Sequence, residues 1–211
     1  MQKVNYGRMM DEKLEELKRS GERPSLLLHA CCAPCSSHTL TFISSLFRIT
    51  LFFYNPNIAP EAEYRYRCDE LKRLVRELGL DIEVIDEEYD PAPFYALAKG
   101  LEELPERGER CQKCIALRLE TAAVKAKELG CEYFTTTLTI SPHKDCQFIN
   151  ECGGATAEKY GVAYLFSDFK KHDGYKHSIE LSRQYGLYRQ DYCGCVFSKR
   201  ASELKKQEKD N

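Results

Sequence analysis

The chain lacks several features, and each absence removes a class of function. No run approaches ~18 apolar residues, so a membrane-spanning helix is not expected. No apolar stretch follows Met1, and the residues to Ser20 are polar and charged, so no secretory signal is expected either. No internal repeat and no low-complexity linker interrupt the sequence. No glycine-rich loop follows the first predicted strand, which weighs against a phosphate cradle. The five histidines are scattered without a His-x-x-His pair, so a histidine-built metal site is not expected. The net charge of −2 favours no class of partner by itself.

What the chain does have is thiols. Eleven cysteines occur in 211 residues, and seven fall in three tight groups. Cys31, Cys32 and Cys35 form a Cys-Cys-Ala-Pro-Cys run; Cys111 and Cys114 form a Cys-x-x-Cys; Cys193 and Cys195 form a Cys-Gly-Cys. The expected compartment is the cytoplasm, where thiols stay reduced and clustered cysteines bind metal or do redox work. The odd total fits poorly with complete disulfide pairing. A chain of this length can also bury a core without disulfide staples.

Read for periodicity, the sequence predicts strands alternating with helices. Strands are expected at Ser25–His29, Arg48–Tyr54, Asp81–Asp86, Tyr133–Leu138 and Val162–Phe166. Helices are expected at Asp11–Ser20, Ser36–Leu46, Glu61–Leu78, from Pro91, at Arg110–Leu129 and at Gly174–Tyr185. A further helix, His143–Tyr160, is expected to break at Gly153-Gly154, and the chain after Lys199 is expected to fray. This alternation implies a single α/β domain, a parallel sheet with helices on both faces. Residues 1–22 are expected as an N-terminal helical extension and 199–211 as a polar tail. Such sheets bind ligands beyond the carboxyl ends of their strands. The three-thiol run, Asn55–Asn57, Ser141–Lys144 and Asp168–Lys171 all follow predicted strands.

The thiol groups admit several readings. Cys32-Ala-Pro-Cys35 opens a predicted helix, a place that lowers thiol pKa values, and fits a metal site, a redox dithiol or two buried structural cysteines. Cys111 and Cys114 with Cys193 and Cys195 could complete a tetrahedral zinc site. Seven clustered thiols exceed one four-coordinate metal, so the count favours an iron–sulfur cluster assembled from distant segments over zinc alone. Cys68, Cys131, Cys146 and Cys152 stand singly, as packed small hydrophobes usually do. His29 is expected to point at the sheet edge. Asp168 and Asp191 compete as a carboxylate ligand, and either could instead be a cap or a surface ion pair.

Charge is unevenly spread. Asp81–Arg110 holds ten acids against three bases, whereas Lys170–Asn211 holds ten bases against six acids. In the second segment Lys170, Lys171, Lys176, Arg183 and Arg189 interleave with Tyr175, Tyr185, Tyr188 and Tyr192. Cations and stacking rings suit single-stranded RNA, and equally an ordinary amphipathic helix with tyrosines on the core.

These residues carry a resemblance. His29-Ala-Cys-Cys-Ala-Pro-Cys-Ser36, Tyr54-Asn-Pro-Asn-Ile58, Glu63-Tyr64, Gly108-Glu-Arg-Cys-Gln-Lys-Cys114, Thr135 through Lys144, Asp168-Phe-Lys-Lys171, Gly174-Tyr175 and Tyr188 through Cys195 resemble the signature set of the QueH family, cobalamin-independent epoxyqueuosine reductases. The resemblance spans Leu26 to Ser198. It implies a fold related to the nucleotide-binding HUP (PP-loop) class, with the three-thiol run where relatives keep a phosphate loop. The implied activity is reduction of the epoxide of epoxyqueuosine at the tRNA wobble position to queuosine. The implied cofactors are a [4Fe–4S] cluster and a mononuclear metal, expected to be iron, with an electron donor of unstated identity. The implied ligands are Cys31, Cys32, Cys35, Cys111, Cys114, Cys193 and Cys195, with Asp168 or Asp191 as the carboxylate. His143, Lys144 and Tyr192 are candidate proton donors. Asn55, Asn57, Lys170, Lys171, Tyr175, Lys176 and Arg189 are candidate tRNA contacts. The competing readings are a zinc-stabilised RNA-binding module and an ATP-using tRNA-modifying enzyme of the PP-loop type.

Overall fold

A computed structural model describes residues 3–210. Residues 1–2 and 211, the extremes of the expected extension and tail, lie outside the described residues. Five strands form one sheet: β1 (Ser25–His29), β2 (Arg48–Phe53), β3 (Glu83–Asp86), β4 (Tyr133–Thr136) and β5 (Ala163–Tyr164). Their spatial order is β3-β2-β1-β4-β5, and every pairing is parallel. The order reverses direction between β1 and β4. That switch point is where an open α/β sheet leaves a crevice at its strand ends.

Strand β1 explains why the sheet must be covered twice. Leu26, Leu27 and Leu28 are all fully buried, a continuous apolar run rather than an alternating one. Leu26 and Leu28 face a core shared with α1 (Tyr6–Ser20), α2 (Ala33–Ile43) and α3 (Glu61–Glu77). Leu27 faces the opposite core with Phe52 and Phe134, built against α5 (Glu109–Glu128) and α6 (Cys146–Tyr160). A short α4 (Ala92–Ala98), with α7 (Gly174–Gln184) and α8 (Val196–Asp210), completes the helices.

Several boundaries differ from expectation, each for a physical reason. Helix α1 starts earlier, capped by the Asn5 side chain on the Arg8 amide. It is also woven into the core: Met10, Leu14 and Leu17 are buried, and Tyr6 stacks on Phe166 at 5.5 Å. Helix α2 begins at Ala33 because Pro34 suits a first turn. Strand β4 ends at Thr136, where the chain tightens into a 3₁₀ turn, Thr137–Ile140. Helix α6 runs unbroken through Gly153 and Gly154, correcting the expected break. A Cβ on Gly153 would collide with the Tyr164 ring, so this glycine serves close helix–sheet approach rather than a turn. Strand β5 is only two residues long. The expected fraying after Lys199 is replaced by helix α8, polar but regular.

Candidate metal centre

The three thiol groups arrive from different elements and meet at the strand ends. Cys31 and Cys32 follow β1, with Cys32 at the N-cap of α2 and Cys35 in its first turn. Cys111 and Cys114 occupy the first two turns of α5. Cys193 and Cys195 lie on the loop that leads into α8. The sulfur atoms of Cys31, Cys32 and Cys35 lie within 4.8 Å of one another, and Cys31 Sγ is 3.8 Å from Cys32 Sγ. All eleven cysteines are free thiols.

Two adjoining cavities join the groups. A larger one, ≈ 360 Å³, is lined by Cys31, Cys32, Cys35, Cys111 and Cys193. A smaller one, ≈ 30 Å³, is lined by Cys111, Cys114, Cys193 and Cys195. Cys111, Cys193, Arg118 and Lys144 belong to both walls.

The Cys193–Cys195 loop is clamped from α3. Arg67, 2% exposed, pairs with Glu63 at 2.7 Å and donates to the Cys193 carbonyl at 3.3 Å. Its guanidinium also sits 5.2 Å from the Tyr192 ring. Gly194 has φ +122, and a Cβ there would press on Arg67 and Ile58 at 3.0 Å, so both its conformation and its space call for glycine. The Gly194 carbonyl accepts from the Ala59 amide at 3.1 Å. Arg110 performs a parallel task. It donates to the Leu101, Glu102 and Leu104 carbonyls, tying the acidic 101–108 segment to the start of α5.

The electrostatics favour thiolates at selected sulfurs. Hydrogen bonds from Cys32 and Cys35 stabilise the Cys31 thiolate against the opposing effect of burial, with Arg118 and the Thr137 hydroxyl assisting. Those hydrogen bonds push Cys35 up, and Cys32 up to about 12, so the trio shares one negative charge. At Cys193 burial opposes ionisation, yet Lys144 and Arg118 together hold the thiol below its usual range. Lys144 Nζ donates to Cys193 Sγ at 3.2 Å, and that thiolate raises the lysine's pKa against burial. Burial pushes Cys114 up to about 11 and also raises Cys195.

A buried frame supports this chemistry. His29 is wholly buried rather than aimed at an open edge: Nε2 lies 3.0 Å from the Tyr54 carbonyl and Nδ1 lies 2.9 Å from Thr136 Oγ1. Burial, then the charge of Arg118, lowers its pKa to about 3, so its imidazole is neutral. Arg118 donates to Asn55 Oδ1 at 2.7 Å, and Asn55 Nδ2 donates to the Ala30 carbonyl at 2.9 Å.

The other candidate residues divide. Lys144, His143, Tyr192, Tyr175, Arg189, Asp191 and Asn55 line the larger cavity, and Asn57 lines the smaller. Asn55 is buried as a brace, and its amide is committed to Ala30 and Arg118. The His143 side chain is exposed, and its carbonyl accepts from Arg107 at 2.8 Å. Asp191 pairs with Lys206. Asp168 instead pairs with Lys170 at 2.8 Å near Cys146 and lines neither cavity among the described residues. Lys170 also donates to the Thr139 carbonyl at 2.9 Å. Lys171 is exposed with its stem against Gly7 of α1, and Lys176 is exposed away from both cavities. Sequence reasoning missed Arg67, Arg110, Arg118 and Thr137. A lone arginine on a charged helix gives no signal of burial before the fold is known.

A family model described as "Epoxyqueuosine reductase QueH" matches residues 26–201. The chain belongs to the QueH family. A Staphylococcus epidermidis protein named epoxyqueuosine reductase QueH is 43% identical over 217 residues, covering 99% of this chain and 91% of its own. A Thermotoga maritima protein of the same name is 39% identical over 177 residues, covering 82% of this chain and 90% of its own. Membership in QueH makes the chain an oxidoreductase of the epoxyqueuosine reductase class. A solved structure described as a predicted subunit of tRNA methyltransferase from Methanocaldococcus jannaschii shares the fold at 14% identity, with a TM-score of 0.50 over 72% of each chain.

The donor set fits a soft metal. Three sulfurs lie within 4.8 Å of one another at the start of α2, Cys111 and Cys114 stand at the start of α5, and Asn57 Oδ1 is buried beside the smaller cavity without a partner among the described residues.

Proposed function

We propose that this chain removes the epoxide oxygen of epoxyqueuosine in tRNA, giving the alkene of queuosine, and that its thiols hold a [4Fe–4S] cluster and one further metal, iron. The observation that carries this reading is the convergence of seven thiols from three remote segments on two joined cavities. Cys31, Cys32, Cys35, Cys111, Cys114, Cys193 and Cys195 are the candidate ligands. Asp191, which lines the larger cavity, is the better placed carboxylate. Bound there, the cluster would supply electrons one at a time and the second metal would supply Lewis acidity toward the epoxide oxygen.

The overall step takes two electrons and two protons. Both C–O bonds of the epoxide break, a C=C bond forms, and the oxygen leaves as water. The electrons come from an external one-electron donor. The protein's own groups supply the rest. The larger cavity is of a size that suits one extruded nucleobase. Leu138, Ile140 and Phe148 give it an apolar wall that excludes water. Tyr175 and Tyr192 offer faces for stacking, and Arg107, Arg189 and Lys205 line it as cations for flanking phosphates. Lys144 Nζ, which donates to Cys193 Sγ at the junction of the two cavities, is the candidate source of a proton for the departing oxygen. A tRNA substrate and reduced thiols both suit the cytoplasm, and no helix among the described residues is long and apolar enough to cross a membrane.

The test begins with protein purified without oxygen. Per chain, iron is expected at about five and acid-labile sulfide at about four, the fifth iron being the further metal. Mass spectrometry of tRNA bearing the epoxide should then show loss of one oxygen when a reductant is added. Colourless protein holding zinc alone would overturn the reading.

A further inference from the structure

Arg118 is 2% exposed, yet among the described residues no carboxylate lies within ion-pair distance of it. A buried guanidinium without a counter-charge is costly, and it cannot shed its proton. Its hydrogen-bond partners are neutral. One nitrogen donates to the Asn55 amide oxygen at 2.7 Å, and Nε lies 3.4 Å from the neutral ring of His29. Arg118 lines both cavities, whose walls hold thiols from all three groups together with Lys144 and Glu106.

We infer that Arg118 is a positioning residue of the metal centre, a permanent buried cation that balances the negative thiolate-bound group and sets its reduction potential. This inference rests on the cluster reading above. Each electron added makes such a centre more negative by one unit. A fixed positive charge beside it therefore favours the reduced form and raises the potential. The Asn55 and His29 contacts hold the guanidinium in place without neutralising it. Lys144, the other cation in both walls, is already committed to Cys193.

The experiment compares the anaerobic holoprotein with Arg118→Gln and Arg118→Lys, by reductive titration followed by electron paramagnetic resonance. At the parent's midpoint potential, Arg118→Gln is expected to shift the reduced-to-oxidised ratio about tenfold toward oxidised, about 59 mV for one electron. Arg118→Lys keeps the charge and is expected to stay near the parent. Loss of the cluster from Arg118→Gln alone, with the lysine variant loaded at the parent's potential, supports the same conclusion. An unchanged potential in loaded Arg118→Gln overturns it. So does equal behaviour of the two variants, including loss of the cluster from both while circular dichroism reports a folded chain. That last result would assign Arg118 to the hydrogen-bond frame. A parent protein without iron and sulfide would instead remove the cluster reading itself.

Discussion

The two halves of the thiol set are held in different ways. Cys31, Cys32 and Cys35 sit on the end of the central strand and the first turn of α2, already within 4.8 Å of one another. Cys111, Cys114, Cys193 and Cys195 come from a helix start and a loop, and they depend on long arginine side chains for their placement. The first half is positioned by backbone geometry, the second by side-chain struts. Preorganised ligands need little rearrangement on binding, whereas strutted ones fail when the strut fails.

The largest effect that could break this comparison is loss of a candidate ligand. Cys35→Ser is expected to lower reductase activity by at least about 100-fold, beyond the 10–100-fold typical of supporting residues, and to remove most of the bound iron. Cys195→Ser should abolish activity while keeping part of the iron, because the trio stays intact. Equal iron loss from both variants, measured by metal analysis, would merge the halves into one centre.

A smaller effect probes the struts. Arg67→Met leaves Glu63 without its partner and releases the Cys193 carbonyl. It is expected to cost about 3 kcal/mol in urea unfolding, at the low end for a broken buried pair because Glu63 keeps some access to solvent. Metal retention should fall with it. Retention at the parental level would show that the Cys193–Cys195 loop holds its place unaided.

These regions also differ in how much the sequence revealed. Strand β1 was legible to the residue, because Pro24 precedes it and an unbroken leucine run fills it. The thiol groups were legible from their spacing. Arg118 and Arg67 were not, since helical charge patterns look alike whether an arginine faces solvent or a cavity. Gly153 misled because a ring of a later strand, invisible locally, decides its role. Lys170 and Lys176, candidate tRNA contacts by sequence, lie outside both cavities, and the Lys170 ammonium is held by Asp168 and the Thr139 carbonyl.

The smallest expected effect is on pH dependence, and it touches only the half carried by α2. His38 on α2 faces His177 of α7, with the ring nitrogens 3.0 Å apart, and His172 lies nearby, paired with Asp11. Burial, then the charges of His177 and His172, lowers the pKa of His38 to about 4. Its value in the unfolded chain is about 6.5. Between these values the unfolded chain binds the proton more readily. Stability is therefore complete above about pH 6.5, falls as the pH drops toward 4, and levels below that. His29 contributes with the same sign from the same upper limit, and its loss continues down to about pH 3. Urea midpoints at pH 7.5 and 5 should differ less in His38→Gln than in the parent.

The central position of β1 has a last consequence. Hydrogen-bonded to neighbours on both sides and covered by two cores, it belongs to the part of the scaffold that opens last. Three sulfurs are rooted in its end. On the proposed reading, oxidative damage could empty such a seat while the polypeptide beneath it stays assembled, and the metal could be rebuilt on the same molecule.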